Sequence, residues 1–346
     1  MICCMKESQV FTTSRQCVGI DIAKLSFTAC VCRKSTTDEL LMSEVCEFAN
    51  NKTGFNQMVK WSRKHLDASC PGMYLMEATG VYYEELAYHL YTKVKAPTCV
   101  ILPNKAKAFS LYQGIWTKTD EMDCQVLAQL GALEPRLRQW TPPSQIYRDL
   151  RSLCRFATEL TKLETQMKNH LEALENSACP EQSVIKHYRD MLKDVQKRQA
   201  KNEIAIKEKV ASDEELSKRI ERIATIPGVG FSTIVAVIAE TNGFELITSR
   251  KQLASYAGFD VIEKDSGTSV KGKSRISKKG NSRIRAALYF PAMVASRFNY
   301  QLKEDYSRIV SKHPDIKKIG VTAIQRKLLL LIYTLWKSGE EYDKTK

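Results

Sequence analysis

The chain has 346 residues, with 53 Lys and Arg against 39 Asp and Glu, which gives a formal net charge of +14. Its 43 % hydrophobic and 27 % charged content is ordinary for a globular protein and excludes a disordered or collagen-like chain. The positive surplus favours a polyanionic partner, of which nucleic-acid phosphate is the commonest and an anionic membrane surface the second. A solvated basic surface without a partner is the alternative interpretation.

The 11 cysteines form no CxxC pair, and residues 1–16 lack a continuous apolar stretch of signal-peptide length. These features predict reduced, mostly buried thiols in the cytosol. Metal binding through cysteine is weakly supported, because the five histidines stand far from cysteine pairs at ligand spacing. No uninterrupted apolar run reaches the about 18 residues that a membrane-spanning helix needs, so no such helix is predicted.

Up to about Trp140 the chain alternates strand and helix signals, as in an α/β domain. Strands are predicted at 17–22, 25–32, 44–48, 73–76 and 99–102, and helices at 54–65 and 82–90. Pro142 and Pro143 interrupt this pattern and indicate a domain boundary. The first predicted domain is therefore 1–142.

The next part of the chain has the pattern of long helices. Apolar residues recur at spacings of three and four from Ile146 to Leu174, which predicts one apolar stripe along a helix. Ala178-Cys179-Pro180 breaks the pattern, and a more charged helix is predicted over 181–210. Two such helices predict an antiparallel hairpin or coiled coil over 143–215, with dimerisation or spacing as its role.

The last predicted domain, 216–346, opens with Ile226-Pro227-Gly228-Val229-Gly230 before an apolar helix over 232–239. The turn is similar to a helix-hairpin-helix, which offers backbone N–H groups at a helix N-terminus to a phosphate. A tight turn without a ligand is an equal alternative, because a lone Gly-x-Gly is a weak phosphate signal and no Walker lysine follows it.

Four carboxylates have contexts typical of a metal site. Asp21 follows an apolar run, Glu77 ends a different short strand, and Asp120 and Asp123 share one face of a helix. Because sites in open α/β sheets form at the carboxyl ends of strands, these acids are candidates to converge on Mg²⁺ ions that assist phosphoryl transfer. Alternatively, Asp120 is an N-cap with Asp123 in its capping position, and Glu77 is a loop acid. An unpaired carboxylate in an apolar strand, as at Asp21, is harder to explain structurally.

The densest basic region runs from Lys264 to Arg285 and contains a single acid, Asp265. This composition is typical of phosphate contact, and its glycines predict flexibility or turns; a solvated loop is the alternative. The predicted nucleic-acid contacts are Lys271, Lys273, Arg275, Lys278, Lys279, Arg283 and Arg285. The segment has no histidine, so a nucleophilic serine here would need activation by neighbouring cations or a metal.

Taken together, these motifs resemble the DEDD-type insertion-sequence transposases related to the Piv invertase, also described as bridge-RNA-guided recombinases. Each motif is weak alone, but the ordered set between about Val18 and Ala292 is specific; residues 1–16 and the tail from 299 match nothing transferable. The matching pieces are Gly19-Ile20-Asp21-Ile22-Ala23-Lys24, Glu77-Ala78-Thr79-Gly80, Lys118-Thr119-Asp120 with Asp123, Ile226-Pro227-Gly228-Val229-Gly230, Ser266-Gly267 and Arg275-Ile276-Ser277-Lys278-Lys279-Gly280-Asn281.

The resemblance implies an α/β RuvC-like N-terminal domain of RNase H fold, a long helical coiled-coil hairpin, and a mainly α C-terminal transposase domain with a helix-hairpin-helix-like turn. It implies that the four acids are Mg²⁺ ligands: Asp21, Glu77, Asp120 and Asp123. The position that matches the family's catalytic serine is Ser266. Ser269 is the second candidate, because the interval from Ser266 to Arg275 is slightly longer than expected.

The resemblance further implies a site-specific recombinase that cuts and rejoins donor and target DNA through a covalent serine–DNA intermediate. A structured RNA encoded by the element would pair with both DNAs and carry most of the sequence specificity. A homo-oligomer, dimer or tetramer, is expected in the prokaryotic cytosol at the nucleoid, without a membrane role. Two alternatives stay open: a RuvC-like nuclease or Holliday-junction resolvase that uses water, and a catalytically inactive nucleic-acid-binding protein.

Overall fold

The computed structural model describes residues 11–78, 80–115, 119–245, 247–262, 275–312 and 314–343, and the backbone of 265–266 and 270–271. The chain divides into two compact units, Met1–Pro142 and Pro143–Lys346. Each unit has its own hydrophobic core.

A mixed sheet forms the centre of the first unit. Its strands, in chain order, are β1 (Thr13–Ile22), β2 (Ser26–Ser35), β3 (Leu40–Met42), β4 (Cys46–Ala49), β5 (Gly72–Glu77) and β6 (Thr98–Ile101). The spatial order is β3-β2-β1-β5-β6, and β4 also pairs with β2. β1 pairs antiparallel with β2 and parallel with β5, and β6 extends the parallel half.

Helices cover both faces of this sheet. They are α1 (Lys52–His65), α2 (Glu84–His89), α3 (Pro103–Tyr112) and α4 (Asp120–Leu133), and α2 continues into a π-helical turn, Leu90–Val94. On one face, Phe55 of α1 and Leu86 of α2 pack against alternate residues of β1 such as Ile20. On the other, Leu127 of α4 packs with Leu75 of β5. This period-2 division places two cores on opposite sides of the sheet.

The sheet and its helices confirm the predicted α/β RuvC-like class for the first unit. Two elements were not predicted. β3 is a strand of three apolar residues, too short to show the alternation of apolar and polar residues that predicts a strand. α3 begins with Pro103 at its first position, where a proline is tolerated because the missing N–H would have no partner within the helix.

The second unit is mainly helical. Its helices are α5 (Gln145–Glu175), α6 (Gln182–Ala211), α7 (Glu214–Ala224), α8 (Phe231–Glu240), α9 (Arg250–Tyr256), α10 (Ser282–Ala287), α11 (Tyr289–Phe298), α12 (Tyr300–Lys312) and α13 (Lys317–Ser338). Four two-residue strands lie between α9 and α10: β7 (Val261–Ile262), β8 (Asp265–Ser266), β9 (Val270–Lys271) and β10 (Arg275–Ile276).

α5 and α6 run antiparallel along one another. The Asn202 side chain donates to the Leu153 carbonyl at 3.0 Å near one end, and Arg189 pairs with Glu175 near the other. The base of this pair shares its core with 216–346, since Leu150 belongs to the same buried cluster as α7, α8 and α13. Coiled-coil supercoiling and the separate 143–215 domain stay predictions.

The glycine-containing turn lies between α7 and α8. Gly228 has φ +92°, and a Cβ there would lie 2.9 Å from the backbone nitrogen of Ala295 in α11. The glycine is therefore required by backbone conformation and by close packing. The helix-hairpin-helix interpretation stays a prediction.

α13 is long and apolar enough, by length and composition alone, to cross a membrane, although it contains no uninterrupted apolar run of about 18 residues. The described part of the chain contains this one candidate. Packing accounts for its apolar character: Leu328, Leu329 and Ile332 are fully buried in the core of the second unit. α13 is thus a core helix of this unit.

The nine described cysteines are free thiols. Five of them pack in the core between the sheet and α4: Cys17, Cys30, Cys32, Cys99 and Cys124. Burial raises the pKa of the Cys32 and Cys124 thiols to about 12, which keeps both protonated at neutral pH. These thiols are small apolar packing groups.

Candidate active site

Two of the predicted acids lie at the carboxyl ends of neighbouring parallel strands. β1 and β5 are in register up to the pair Ile20 and Met76, and Asp21 and Glu77 are the next residue on each strand. Residues at equal register of parallel strands leave the sheet on the same face. The two half-buried carboxylates therefore lie side by side, on the face that α4 covers.

α4 lies directly on β1 because glycines stand at the crossing points. A Cβ on Gly19 of β1 would overlap the backbone of Cys124 and Ala128 in α4. A Cβ on Gly131, nearer the other end of the helix, would overlap the Cys17 side chain of β1. The helix thus runs antiparallel to β1 and brings its first turn to the carboxyl end of the strand.

β2 fixes this first turn next to Asp21. Thr28 is the register partner of Asp21, and its hydroxyl donates to the backbone carbonyl of Asp120 at 3.1 Å. The electrostatic environment agrees: burial is the main cause of the raised pKa of Cys124, and the Asp21 carboxylate adds to it. Asp21, Glu77 and the first turn of α4 therefore meet at one corner of the unit, here called the acidic corner.

The N-cap of α4 is Thr119, whose hydroxyl accepts a hydrogen bond from the Met122 backbone at 3.2 Å. The alternative of Asp120 as the N-cap is therefore wrong. Asp120 is exposed and Asp123 is half-buried. Both follow the cap in the first turn, where the helix dipole favours negative charge.

The backbone positions of the four acids converge, but their side chains are not arranged as a ligand set. Within the described ranges, no group of three or more His, Cys, Asp or Glu is placed to hold a metal ion. The donor chemistry does fit a hard divalent cation, because carboxylate oxygens are its preferred protein ligands. Binding would require the carboxylates to reorient towards a common point.

The basic segment contains nested antiparallel pairings. β7 pairs with β10, and between them β8 pairs with β9, with Ser266 opposite Val270. The structure describes only the backbone of Ser266 and Lys271. Ser269 and Lys273 lie outside the described residues. The predicted nucleophile is thus on the inner strand pair of a hairpin.

Residues 278–281, which follow this hairpin, are held against the end of α9 by backbone hydrogen bonds. We call this contact the clamp. The Lys278 and Asn281 backbone nitrogens donate to the carbonyls of Gly258 and Tyr256, at 3.1 and 2.8 Å. Lys278 adopts φ +54°, and a Cβ on Gly280 would lie 2.5 Å from the Gly258 nitrogen. This close contact fixes the backbone from which the exposed Lys278 side chain extends.

The predicted phosphate contacts differ in their surroundings. Arg285 is half-buried, and its guanidinium donates to the carbonyls of Ala257, Gly280 and Lys278 at 2.6, 3.3 and 3.4 Å. Its observed role is to hold the clamp together. The side chains of Arg275, Lys278, Lys279 and Arg283 are exposed.

A buried carboxylate, not predicted from the sequence, links the clamp to α5. Glu240 is 4 % exposed and accepts two hydrogen bonds from Arg155, at 2.8 and 3.0 Å, and one from Asn281 at 2.8 Å. Burial alone would raise the pKa of Glu240, but the hydrogen bonds and charge of Arg155 and Asn281 outweigh it and lower the pKa. We call these three residues the Glu240 network.

The Glu240 network also sets the start of α10. The Asn281 side chain accepts hydrogen bonds from the backbone of Arg283 and Ile284, as an N-cap. Tyr256 donates to the Glu240 carbonyl at 2.9 Å. The sequence signal for this network was a single acid ending the otherwise apolar α8, which is difficult to recognise without the partner from α5.

Comparisons with known proteins match both units. A family described as "Transposase", of the DEDD type, matches residues 18–180, and one described as "Transposase IS116/IS110/IS902 family" matches 220–307. The pilin gene-inverting protein of Moraxella lacunata is 30 % identical over an alignment length of 346. The alignment covers 96 % of this chain and 98 % of that protein. Its counterpart in Moraxella bovis is 29 % identical over 343 residues, with the same coverage.

Among solved structures, a Ppx/GppA family member from Aquifex aeolicus matches 94 % of this chain and 92 % of its own, at 10 % identity and a TM-score of 0.23. A likeness this weak supports no structural argument. The relatives and families span both the acidic corner and the serine-bearing hairpin. The chain therefore belongs to the IS110 family of DEDD transposases, enzymes of DNA recombination to which the pilin gene-inverting proteins are related.

Proposed function

We propose that this transposase is a site-specific recombinase that cuts and rejoins DNA through a covalent serine–DNA intermediate, with Ser266 as the nucleophile. The observation that carries the proposal is the acidic corner, where two strand ends and a helix first turn bring acidic positions together. The family assignment supports DNA as the substrate, and the hairpin around Ser266 lies in the densest basic segment.

In the proposed reaction, the Ser266 oxygen forms a bond to the phosphorus of a DNA phosphodiester. The bond from phosphorus to one deoxyribose oxygen breaks, and that oxygen takes up the proton that the serine loses. The phosphoserine link conserves the energy of the broken phosphodiester. A hydroxyl end from the exchanged strand then attacks the same phosphorus and restores the serine.

Asp21, Glu77, Asp120 and Asp123 would hold the divalent ion that membership of a DEDD family implies, and we propose Mg²⁺. When bound, Mg²⁺ supplies a positive charge that stabilises the phosphate oxygens in phosphoryl transfer. The chain itself contributes the placement of the acids. Thr28 and the glycine-lined contact of α4 with β1 keep the helix first turn beside Asp21.

The cations of the basic segment would hold DNA phosphates near the scissile bond. They are Lys271, Lys273, Arg275, Lys278, Lys279, Arg283 and Arg285. The clamp on α9 supports this role for Lys278 and Lys279, because it fixes the backbone from which both exposed side chains extend. Arg285 would contribute by holding that clamp.

We further propose a structured RNA, encoded by the element, as the guide that pairs with donor and target DNA. Guidance by base pairing would leave the protein to contact mainly the nucleic-acid backbone, which agrees with the surplus of +14. We also propose that the protein acts as a homo-oligomer, a dimer or a tetramer, at the nucleoid in a prokaryotic cytosol.

The nucleophile is tested by incubating Ser266→Ala and Ser269→Ala variants with a DNA substrate and separating protein–DNA adducts on denaturing gels. Ser266→Ala should abolish the adduct and strand exchange but keep DNA binding, whereas Ser269→Ala should form adducts. The reverse pattern assigns the role to Ser269. Cleavage without an adduct in the unmodified protein would show that water is the nucleophile, as in a nuclease or resolvase.

The metal is tested with Asp21→Asn and Asp123→Asn variants and with EDTA. Each change should remove cleavage and leave DNA binding, and added Mg²⁺ should restore the EDTA-treated protein. Glu121→Gln, in the same helix turn, is the matched control and should keep activity. Full cleavage in EDTA would refute metal dependence, and binding without cleavage under every condition would indicate an inactive binding protein.

A further inference from the structure

A basic groove lies on the sheet face opposite the acidic corner. α1 contains no Asp or Glu, and its last turn carries Arg63 and Lys64. The groove has a volume of about 400 Å³, and the charged side chains that line it are Lys60, Arg63, Lys64 and Lys93. These four cations are all exposed. We call this surface the α1 groove.

The groove is built by two helices that pack on one core. Met58 and Val59 of α1 are buried against the sheet, which turns Lys60, Arg63 and Lys64 outward. Positions 60 and 64 are one helical turn apart and therefore neighbours on the same face. The opposite wall is the π-helical turn, which presents Lys93. π-helical turns are rare and occur frequently at functional sites.

The charges of the groove are not balanced within the protein. Among the described residues, none of the four groove cations forms a salt bridge, whereas five cations of α6 and α7 pair with acids one turn away in their own helix. Such pairs include Lys207 with Glu203 at 2.7 Å and Arg219 with Glu215 at 2.7 Å. Four exposed cations around a concave surface, without an anion, create a local positive potential that attracts polyanions.

The other titratable group of the groove, His89, adds no charge to this potential. His89 lines the groove and packs on Phe55 with ring centroids 5.5 Å apart. Burial first, and then the charge of Lys93, lower the pKa of His89, so the ring is neutral at pH 7. The positive charge of the groove therefore comes from its four Lys and Arg side chains.

We propose that the α1 groove binds the phosphodiester backbone of a nucleic acid, at a site separate from the acidic corner and from the basic segment around Ser266. The groove offers only phosphate-type contacts, so binding should be independent of base sequence. Duplex DNA and structured RNA share this backbone chemistry. The proposal rests on the family's action on DNA and not on the identity of the nucleophile.

A structural role predicts a different outcome. Cations in the last turn of a helix interact favourably with its dipole, and Arg63 and Lys64 occupy that turn. If this were their whole role, neutralising them would lower the melting temperature and leave nucleic-acid binding unchanged.

The test is a triple variant of the full chain, Lys60→Gln with Arg63→Gln and Lys93→Gln. Binding to a random-sequence DNA duplex and to a random-sequence RNA hairpin is measured over a range of salt concentrations. For the nucleic acid that uses the groove, affinity should fall about tenfold or more, and the slope of log K against log salt should decrease by about 2–3. Thermal unfolding of the same variant monitors the fold.

The matched control removes three cations elsewhere: Lys193→Gln with Lys207→Gln and Lys218→Gln, each in an ion pair within its own helix. It has the same net charge as the triple groove variant. Loss of affinity in the groove variant alone supports the proposal. The nucleic acid whose binding is weakened, the DNA duplex or the RNA hairpin, is then the one that the groove binds. Equal losses in both variants, or no loss in either arm, would overturn it. Adduct formation by Ser266 is scored separately, so failure of one proposal does not affect the other.

Discussion

The acidic corner and the clamp that follows the Ser266 hairpin are held in place by different forces. At the acidic corner, α4 approaches β1 through glycines, and a side-chain hydrogen bond from Thr28 ties its first turn to β2. The clamp instead depends on the Glu240 network, a charged group buried at 4 % exposure. The first region should therefore be sensitive to added volume, and the second to lost charge.

The largest expected effect is in the second region. Glu240→Ala leaves the Arg155 guanidinium and the Asn281 amide without their acceptor. Glu240 is buried, whereas the Arg155 side chain is 42 % exposed, so the loss comes from the charged hydrogen bonds that Glu240 accepts. We expect a loss of about 2–3 kcal/mol in the free energy of unfolding. Urea denaturation measures it. Glu203→Ala, which removes an exposed pair on α6, should cost only about 0.3–0.5 kcal/mol. Equal losses in the two variants would show that the burial of Glu240 does not increase its contribution to the free energy of unfolding.

How far the sequence predicts each region follows from the same difference. The strand ends that carry Asp21 and Glu77 were predictable, since local apolar runs define strands and parallel strands share a carboxyl edge. The Glu240 network was not, because Arg155 and Glu240 are far apart in the chain and each resembles an ordinary surface charge. Arg285 was predicted as a phosphate contact for the same reason, although its guanidinium lies on three backbone carbonyls.

The next effect tests the first region by adding volume. Gly19→Ala places a methyl group against the backbone of Cys124 and Ala128, so α4 must shift from β1. We expect a loss of about 1–3 kcal/mol and a clear decrease in metal-dependent cleavage, as overpacking displaces the helix. Gly72→Ala, also on a strand of this sheet, meets only the flexible Leu66 side chain at 3.1 Å and should keep activity. Normal cleavage by Gly19→Ala would show that the seating of α4 does not position the acids.

A smaller effect is expected from the Thr28 hydrogen bond at the acidic corner. Thr28→Val keeps the shape of the side chain but removes the donor to the Asp120 carbonyl. The expected loss of stability is about 1 kcal/mol, the usual contribution of such a bond. Cleavage should slow while DNA binding is unchanged. Thr28→Ser retains the hydroxyl and should retain the rate; a slow Thr28→Ser would point to packing of the methyl group instead.

The smallest expected effect is the pH dependence of the Glu240 network. Because the folded protein lowers the pKa of Glu240 below its ordinary 4.5, the native state binds fewer protons than the unfolded chain. Its stabilising contribution is therefore complete above pH 4.5 and is lost as the pH falls through the folded pKa. Other acids with lowered pKa values, such as Asp305, remain in both proteins when wild type is compared with Glu240→Gln. The stability difference between the two should be constant above pH 5 and shrink below pH 4.5, in urea titrations at each pH. A difference that does not change with pH would mean that hydrogen bonding without charge holds the clamp, and the contrast between the two regions would then be one of packing alone.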